Sequence, residues 1–296
     1  MKYKTIAITG ITGFLGQALI PFILEHYKPE ALRLLGRSEY KLAQIIRGQG
    51  YKYDLKQFRP MICDVRDRER VFSCLKDADL VIHAAALKRL EIANFNPQEC
   101  IKTNVIGSMN VMDACLNLGV KKVVFVSSDK AVKATNLYGK TKAVMESMVV
   151  ERAKMVGNAS PIMCVVRYGN VLGSTGAVIP FFIDRAKRGE ELPITNGLMK
   201  RFLVTKNEAL GIIKVAIDKG KQGSLIIPKE LRAISVYNMA FFILKYFNQP
   251  ESKLKKIGAW SGEKLYEDMT EDINSDQVDC VNYEEFIELL KEEGLL

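Results

Sequence analysis

Two residues in the middle of the chain, Tyr138 and Lys142, have the types and spacing of an acid–base pair. On a helix, side chains four positions apart share a face, so the lysine cation can depress the pKa of the phenol. A tyrosine held as phenolate can take a proton from a hydroxyl. This chemistry suits oxidation of an alcohol by hydride transfer.

The residues just upstream, Ser128, Asp129 and Lys130, add a hydroxyl, an acid and a base. Loss of water requires a base to take a proton from carbon and an acid to protonate the departing hydroxyl. In these roles we expect burial and nearby cations to lower the pKa of Lys130, and the pKa of Asp129 to be raised. The alternative is an exposed ion pair in a loop, which the position between a strand end and the Tyr138 helix disfavours.

A glycine-rich segment follows the first predicted strand. Gly10, Gly13 and Gly16 have the spacing Gly-x-x-Gly-x-x-Gly. The first permits a tight turn, the second lets a pyrophosphate approach the backbone, and the third lets the helix pack on its strand. The segment predicts a dinucleotide site. Its expected contacts are Gly10, Thr12, Gly13, Phe14, Leu15 and Gly16.

The end of the second predicted strand distinguishes NADP from NAD. NAD-specific sites usually carry an acidic residue here, whereas this chain has Arg37 and Ser38, with Lys41 close behind. Arg37 can pair with a 2′-phosphate and Ser38 can donate a hydrogen bond to it. Glu39 is the contrary detail, and surface charge is the alternative interpretation of Arg37 and Lys41. We predict NADP, with NAD less favoured.

Two further segments are expected beside the cofactor. Asp64 and Val65 are predicted at its adenine end, and the small residues Ala84, Ala85 and Ala86 admit it. His83, on the strand before them, is predicted to be a packed core residue rather than a catalyst. The sequence leaves open whether Asn104 ties a helix to the sheet or lies near the active site.

The first half of the chain alternates apolar strand patterns with helical ones. Strands are predicted over 5–9, 31–35, 58–64, 80–84, 122–127 and 162–167; helices over 15–27, 40–48, 67–75, 97–118 and 138–154, and later over 181–188, 206–218, 236–247 and 283–293. Continuous apolar strands predict a parallel sheet covered on both faces. We therefore predict an α/β, Rossmann-like, doubly wound parallel sheet with a small C-terminal substrate lobe. The predicted domains are a cofactor domain over 1–170 and an interleaved substrate-binding lobe over 171–296.

Composition narrows the class further. The formal charge is +9, but basic residues are dispersed, so a nucleic-acid partner is not expected. The apolar content of 48% is ample for a core, and no apolar run suggests a membrane span. The six cysteines are scattered and there are only two histidines, which favours free thiols over disulfides or a metal site. A cytoplasmic location is expected.

The sequence resembles a known family, the extended short-chain dehydrogenases that act on nucleotide sugars, and among these the UDP-N-acetylglucosamine 4,6-dehydratases, including C5-inverting ones. The likeness spans about residues 5–269. Its segments are 84–88, 95–97, 102–107, 119–124, 127–131, 136–142, 167–174, 199–202 and 262–265. The pair Asp129-Lys130 is the specific part, since relatives acting on dTDP-glucose have Asp-Glu there and plain epimerases lack the pair.

The resemblance implies a role for each matching residue. Tyr138, with Lys142 and Ser128, serves oxidation at C4; Lys130 takes the C5 proton, Asp129 protonates the leaving 6-hydroxyl, and hydride returns to C6. It also implies that Lys88 lies near the nicotinamide and sugar, and that Asn170 contacts cofactor, sugar or phosphate. Arg201 and Glu263 are expected at the UDP part, although Arg201 could instead be a surface charge. Relatives form dimers and hexamers, so a homo-oligomer is expected.

Two departures from the family pattern concern the substrate. Trp260 stands where relatives usually have an arginine that contacts the diphosphate, and 132–135 replaces the usual Asn-Pro turn. Trp260 could instead stack on a ring of the substrate. The rival functions are a nucleotide-sugar 4-epimerase or reductase on the same scaffold, and a non-enzymatic NADP-sensing protein.

Overall fold

The strand and helix alternation is present in the computed structural model, which describes residues 3–48, 57–157, 159–259 and 261–296. The strands are β1 Thr5–Thr9, β2 Ala31–Gly36, β3 Phe58–Ile62, β4 Leu80–His83, β5 Lys122–Val126, β6 Ile162–Val166, β7 Asn170–Val171, β8 Leu192–Ile194, β9 Lys200–Val204, β10 Leu225–Ile226, β11 Arg232–Ser235 and β12 Leu254–Lys256. The helices are α1 Phe14–Tyr27, α2 Glu39–Gly48, α3 Arg68–Leu75, α4 Leu90–Phe95, α5 Pro97–Ile101, α6 Gly107–Asn117, α7 Leu137–Val156, α8 Val178–Lys187, α9 Lys206–Lys219, α10 Val236–Tyr246 and α11 Tyr283–Glu292.

The chain forms two compact units that are both discontinuous in sequence. The first comprises Met1–Ser127, Thr141–Val166 and Leu210–Ile226. The second comprises Ser128–Lys140, Arg167–Ala209 and Ile227–Leu296. The division of roles predicted at residue 170, with cofactor binding before it and substrate binding after it, stays a prediction.

A seven-stranded parallel sheet organises the first unit. Its order is β10-β6-β5-β4-β1-β2-β3, and each neighbouring pair is parallel. Strands β2, β4 and β5 are fully buried, and β1 is buried except at Thr5, as expected for a sheet covered on both faces. The strand order reverses between β1 and β4, where ligands bind in doubly wound sheets. The predicted Rossmann-like fold is confirmed.

The helix predicted over 97–118 is not continuous, and the short helix α4 before it was not predicted. A π-helical turn, Lys102–Ile106, separates α5 from α6. Within this turn, the side-chain amide of Asn104 makes two hydrogen bonds with the backbone of Leu87. The Leu87 N–H donates to Asn104 Oδ1 at 2.8 Å, and Asn104 Nδ2 donates to the Leu87 carbonyl oxygen at 2.9 Å. Because the apolar pattern runs through the turn, the sequence alone does not reveal this interruption.

The second unit has its own core. β9 lies between β11, which is antiparallel to it, and β7, which is parallel to it; β8 and β12 form a separate parallel pair. Helix α11 has an acidic outer face but buries Phe286 and Leu290 in this core. The helix begins at an Asn282 cap, whose side chain accepts the Glu285 N–H.

None of the helices in the described ranges combines the length and apolar character that spanning a bilayer requires.

A buried lysine links two parts of the first unit. Lys122 is 3% exposed, and its Nζ donates to the oxygens of Ile217 and Gly220 at 2.8 and 2.9 Å, at the C-terminal end of α9. Lys121 beside it is exposed and pairs with Asp79.

We expect Lys122→Met to lower the free energy of unfolding by about 2–4 kcal/mol, because the buried hydrogen bond to the Ile217 oxygen and the partly buried one to the Gly220 oxygen are both lost. Lys121→Met, the matched control, should cost at most about 1 kcal/mol, since exposed ion pairs contribute little. Urea unfolding of both variants measures the difference. Equal losses for the two lysines would contradict this account.

Candidate functional site

The glycine loop after β1 is fitted closely to neighbouring backbone. Gly10 has φ +72°, and a Cβ there would lie 2.7 Å from the carbonyl carbon of Ala84 and the nitrogen of Ala85. A Cβ at Gly16 would lie 2.5 Å from the Gly10 oxygen. Both positions therefore require glycine, one for its conformation and both for space.

The start of helix α1 is suited to an anion. Gly13 is its N-cap residue and supplies no side-chain cap, so the N–H groups of the first turn keep donor capacity for a ligand. Thr12, Phe14 and Leu15 are half-buried around this turn. A loop without Cβ atoms, at the switch point of a parallel sheet and followed by a helix N-terminus, fits the diphosphate of a dinucleotide.

The residues predicted to select NADP lie after β2. Arg37 and Lys41 are exposed, and the hydroxyl of Ser38 accepts the Lys41 N–H at 3.3 Å at the start of α2. The pKa of Asp64 is lowered, first by its hydrogen bonds with Arg66 and to a lesser extent by the charge of Arg37. Arg37 therefore lies close to the predicted adenine contact.

Val65, the second predicted adenine contact, is a buried packing residue. Its oxygen accepts from Asn110 Nδ2 at 2.9 Å. A Cβ at Gly107 would lie 2.6 Å from the Val65 Cγ2 atom, so α6 approaches closely here.

The loop after β4, which contains Ala84, Ala85 and Ala86, is held by buried polar groups. Thr9 Oγ1 accepts the Ala85 N–H at 3.2 Å and contacts His83 Nδ1 at 2.8 Å. His83 Nε2 lies 3.0 Å from Ser108 Oγ. Burial, and next the charge of Lys142, lower the pKa of His83 to about 3. His83 is thus a neutral core residue, as its sequence context predicted, and Asn104 ties this loop to the helix layer.

Lys88, at the end of the same loop, is exposed.

Tyr138 and Lys142 lie on one face of α7, as their spacing requires, and both are buried. Lys142 Nζ donates to the Val126 oxygen at 2.7 Å, and burial lowers the pKa of Lys142 to about 8. The Asn136 side chain caps the start of α7 by accepting the Gly139 N–H at 2.9 Å. A Cβ at Gly139 would clash with the Lys130 oxygen, so glycine is required where α7 meets the 129–131 turn.

Ser128, Asp129 and Lys130 form a connected group in the second unit. Asp129 is fully buried, and its Oδ1 accepts from Ser128 Oγ at 2.8 Å and from Lys130 Nζ at 3.1 Å. The Asp129 N–H donates to the Tyr168 oxygen at 3.1 Å, which fixes the turn. The exposed ion pair considered from the sequence is therefore not what the structure contains.

Three further residues complete a charge cluster, in which Asp129, Glu267 and Arg201 are buried and Lys130 and Asn170 are half-buried. Lys130 Nζ lies 3.0 Å from Asn170 Oδ1 and 3.5 Å from Glu267 Oε1, and that same Glu267 oxygen lies 3.8 Å from Arg201 Nε. Glu267 is 4% exposed. The cluster thus holds two cations and two carboxylates. The sequence analysis did not identify Glu267, which lies two residues beyond 262–265, the last short segment that carried the family resemblance.

The expectation of a lowered Lys130 pKa is wrong for this arrangement. Burial would lower the pKa, and Arg201 adds to that effect, but the charges of Asp129 and Glu267 outweigh both and raise it above its ordinary value. The sequence showed the possible burial but not the second carboxylate. The raised pKa favours the ammonium form of Lys130.

The predicted substrate contacts occupy different surroundings. Arg201 is buried, and its Nη1 donates to the Lys200 oxygen at 3.0 Å. Glu263 is half-buried and follows Gly262, whose oxygen accepts from Thr135 Oγ1 at 2.8 Å. Asn170 faces Lys130, as described. Trp260 lies outside the described residues.

Comparison with known proteins agrees with the class that the sheet and glycine loop define. A family model described as polysaccharide biosynthesis protein matches residues 6–289. The chain is 39% identical over 270 residues to the UDP-N-acetylglucosamine 4,6-dehydratase (inverting) of Campylobacter jejuni subsp. jejuni serotype O:2, covering 90% of this chain and 77% of that protein. The protein belongs to this polysaccharide biosynthesis family, and the resemblance found in the sequence is confirmed.

Two other similarities bear on function and fold. The chain is 36% identical over 269 residues to a UDP-glucose 4-epimerase of Rickettsia akari, covering 90% of this chain and 77% of that protein. The crystal structure of Pen from Bacillus thuringiensis is 30% identical, with a TM-score of 0.92 over 100% of this chain and 99% of that one.

We expect Gly10→Ala to weaken nicotinamide dinucleotide binding at least about tenfold, because its Cβ would displace the 84–85 backbone and its positive φ would be strained. Gly211→Ala is the matched control: a Cβ at this helical glycine meets no atom within 4 Å. Calorimetric titration of both variants with NAD and with NADP measures the effect. Unchanged affinity in the Gly10 variant would show that this loop does not hold the cofactor.

Proposed function

We propose that this protein removes water from UDP-N-acetylglucosamine to give a UDP-4-keto-6-deoxy sugar. One observation carries the proposal: the buried Asp129 and the half-buried Lys130 are hydrogen-bonded beside Glu267, which places an acid and a base together. A dehydratase needs both groups, and a simple alcohol oxidation needs neither. The 39% identity to an enzyme named for this reaction supports the substrate.

The cofactor belongs to the proposal as NADP. The backbone of 10–16 would hold its diphosphate, 84–86 would line its path, and Arg37 with Ser38 and Lys41 would bind the 2′-phosphate. When bound, the nicotinamide accepts a hydride from the sugar and later returns it. Asp64 and Val65 are proposed at the adenine.

The residues on α7 would open the reaction. Tyr138 takes the proton of the 4-hydroxyl, with Lys142 favouring the phenolate, and Ser128 donates a hydrogen bond to the same oxygen. The resulting ketone acidifies the hydrogen on C5.

Asp129 and Lys130 would then act as a pair that shares one proton. The raised pKa of Lys130 favours the proton on its Nζ, whereas elimination needs a neutral lysine and a protonated aspartic acid. Moving one proton across the 3.1 Å between Lys130 Nζ and Asp129 Oδ1 converts the first form into the second. Lys130 then takes the C5 proton, Asp129 protonates the leaving 6-hydroxyl, and water departs, so the protons balance.

The remaining predicted contacts complete the proposed site. Arg201 and Glu263 would bind the UDP part, and Lys88 and Asn170 the sugar or phosphate. We also propose a homo-oligomer and a cytoplasmic location.

A UDP-sugar 4-epimerase is the second candidate, favoured by the 36% identity to the Rickettsia akari protein. Epimerisation conserves the mass of the sugar nucleotide, whereas dehydration lowers it by one water. Mass spectrometry after incubation with UDP-N-acetylglucosamine and NADP therefore separates the two. A product of unchanged mass would favour the epimerase.

We expect Lys130→Met to slow dehydration about 100- to 10,000-fold, the usual contribution of an acid–base group, while the NADP dissociation constant stays unchanged. Lys133→Met is the matched control, because this neighbouring lysine is half-exposed and pairs with Asp268. Keto-sugar formation is measured for each. Normal dehydration by the Lys130 variant would exclude it as the base.

We expect Arg37→Asp to weaken NADP binding at least about tenfold and NAD binding far less, since only NADP presents a phosphate to this side chain. Arg47→Met, which removes an exposed charge from the last turn of α2, should leave both affinities unchanged. An Arg37 variant that keeps its preference for NADP would contradict the assignment.

A further inference from the structure

Glu267 is a buried carboxylate to which neither the sequence nor the reaction assigned a role. Its Oε1 lies between two cations, 3.5 Å from Lys130 Nζ and 3.8 Å from Arg201 Nε. Its Oε2 is buried and has no hydrogen-bond partner within the described residues. One oxygen thus carries both ion pairs, and the charge of Glu267 is divided between the two cations.

The backbone holds this carboxylate in place. The backbone N–H of Glu267 donates to Ser275 Oγ at 3.0 Å, and the backbone N–H of Ser275 donates to the backbone carbonyl oxygen of Glu267 at 2.8 Å. Ser275 Oγ also donates to the Lys200 oxygen at 3.0 Å, at the start of the strand that carries Arg201. Ser275 is fully buried, so Glu267 and Arg201 are fixed relative to each other within the second unit.

The charged groups that act on Lys130 are Asp129, Glu267 and Arg201, with the neutral Asn170 completing its contacts. In the proposed reaction Asp129 exchanges the shared proton with Lys130. The position of that proton therefore depends also on the charges outside the pair. Arg201 repels a proton on Lys130. Among the charged groups outside the pair, Glu267 is therefore the one that favours the ammonium form of Lys130.

We propose that Glu267 is a positioning residue that determines where the proton shared by Asp129 and Lys130 resides, and up to which pH the pair retains it. This inference rests on the proposed dehydratase function. Because a lysine stabilised as ammonium is also a stronger base, Glu267 would help Lys130 to take the C5 proton and then hold the cation that forms. Arg201 balances Glu267, so that the proton can still move to Asp129.

The pH dependence gives the sign of the effect. The reactive pair carries one proton, so activity is lost at high pH when that proton leaves. Removing the negative charge of Glu267 lowers the pH at which this occurs. We expect the alkaline limb of kcat in Glu267→Gln to lie about one pH unit or more below that of wild type.

The test compares kcat for keto-sugar formation against pH at saturating UDP-N-acetylglucosamine in wild type, Glu267→Gln and Asp268→Asn, with NADP retention measured at each pH. Asp268 is the matched control: it is the next residue, is also buried, and pairs with Lys264 and Lys133 instead of Lys130. Its variant should keep the wild-type profile. Should Glu267→Gln not fold, Glu267→Asp withdraws the carboxylate by one methylene, and a smaller shift in the same direction is expected.

The possible outcomes separate the two proposals. A lowered alkaline limb in the Glu267 variants and not in Asp268→Asn supports the inference. An active wild type whose profile the Glu267 variants share, or a shift of equal size in Asp268→Asn, overturns the role of Glu267 and leaves the dehydratase function standing. A wild type that forms no keto sugar at any pH refutes the proposed function, and the role of Glu267 falls with it.

Discussion

The Lys130 cation, half-buried and in contact with two buried carboxylates, imposes the main constraint on the second unit. A buried ion without partners costs several kcal/mol, so oxygen acceptors must be brought to it from separate parts of the chain. Asp129 precedes it, Asn170 comes from β7, and Glu267 comes from a segment far downstream. The close packing at Gly139, the bond from Asp129 to the Tyr168 oxygen and the Ser275 bridge all hold the backbone that carries these acceptors. The proposed chemistry depends on this arrangement, because it keeps an acid and a base in contact away from water.

The first unit solves a different problem, which is to present backbone rather than side chains. At the ends of β1 and β4, Gly10 lies against the 84–85 backbone, and Thr9 and Asn104 fix the loop that follows. The polar side chains here make hydrogen bonds within the protein, so the surface of the loop consists of backbone N–H groups and small residues. Such a surface suits an extended anionic cofactor, for which close approach matters more than individual side-chain contacts. Arg37 is the exception among the proposed cofactor contacts, because its charged side chain is exposed. Ser38, and not Arg37, accepts the N–H at the start of α2.

Local patterns in the sequence were sufficient for most of the fold. The strand over 5–9 was predicted with its observed limits, and the parallel, doubly wound character of the sheet follows from the alternation of strands and helices. The π turn at 102–106 was missed because its cause is a tertiary contact, the amide of Asn104 on Leu87. The same limit applies to the site. Ser128, Asp129 and Lys130 could be read from adjacent positions, whereas Glu267 is brought to them only by folding. The direction of the Lys130 pKa shift was predicted wrongly, because burial and cations were weighed without the opposing charges of the adjacent Asp129 and of Glu267, which only folding brings near.

The central claim is that Asp129 and Lys130 turn a transient oxidation at C4 into loss of water with return of the same hydride. The most direct measurement uses UDP-N-acetylglucosamine carrying deuterium at C4, with NMR and mass spectrometry of the product. The account predicts a 4-keto-6-deoxy sugar, lighter by one water, with the deuterium at C6. A product that has lost no water and still carries the deuterium at C4 would contradict the account.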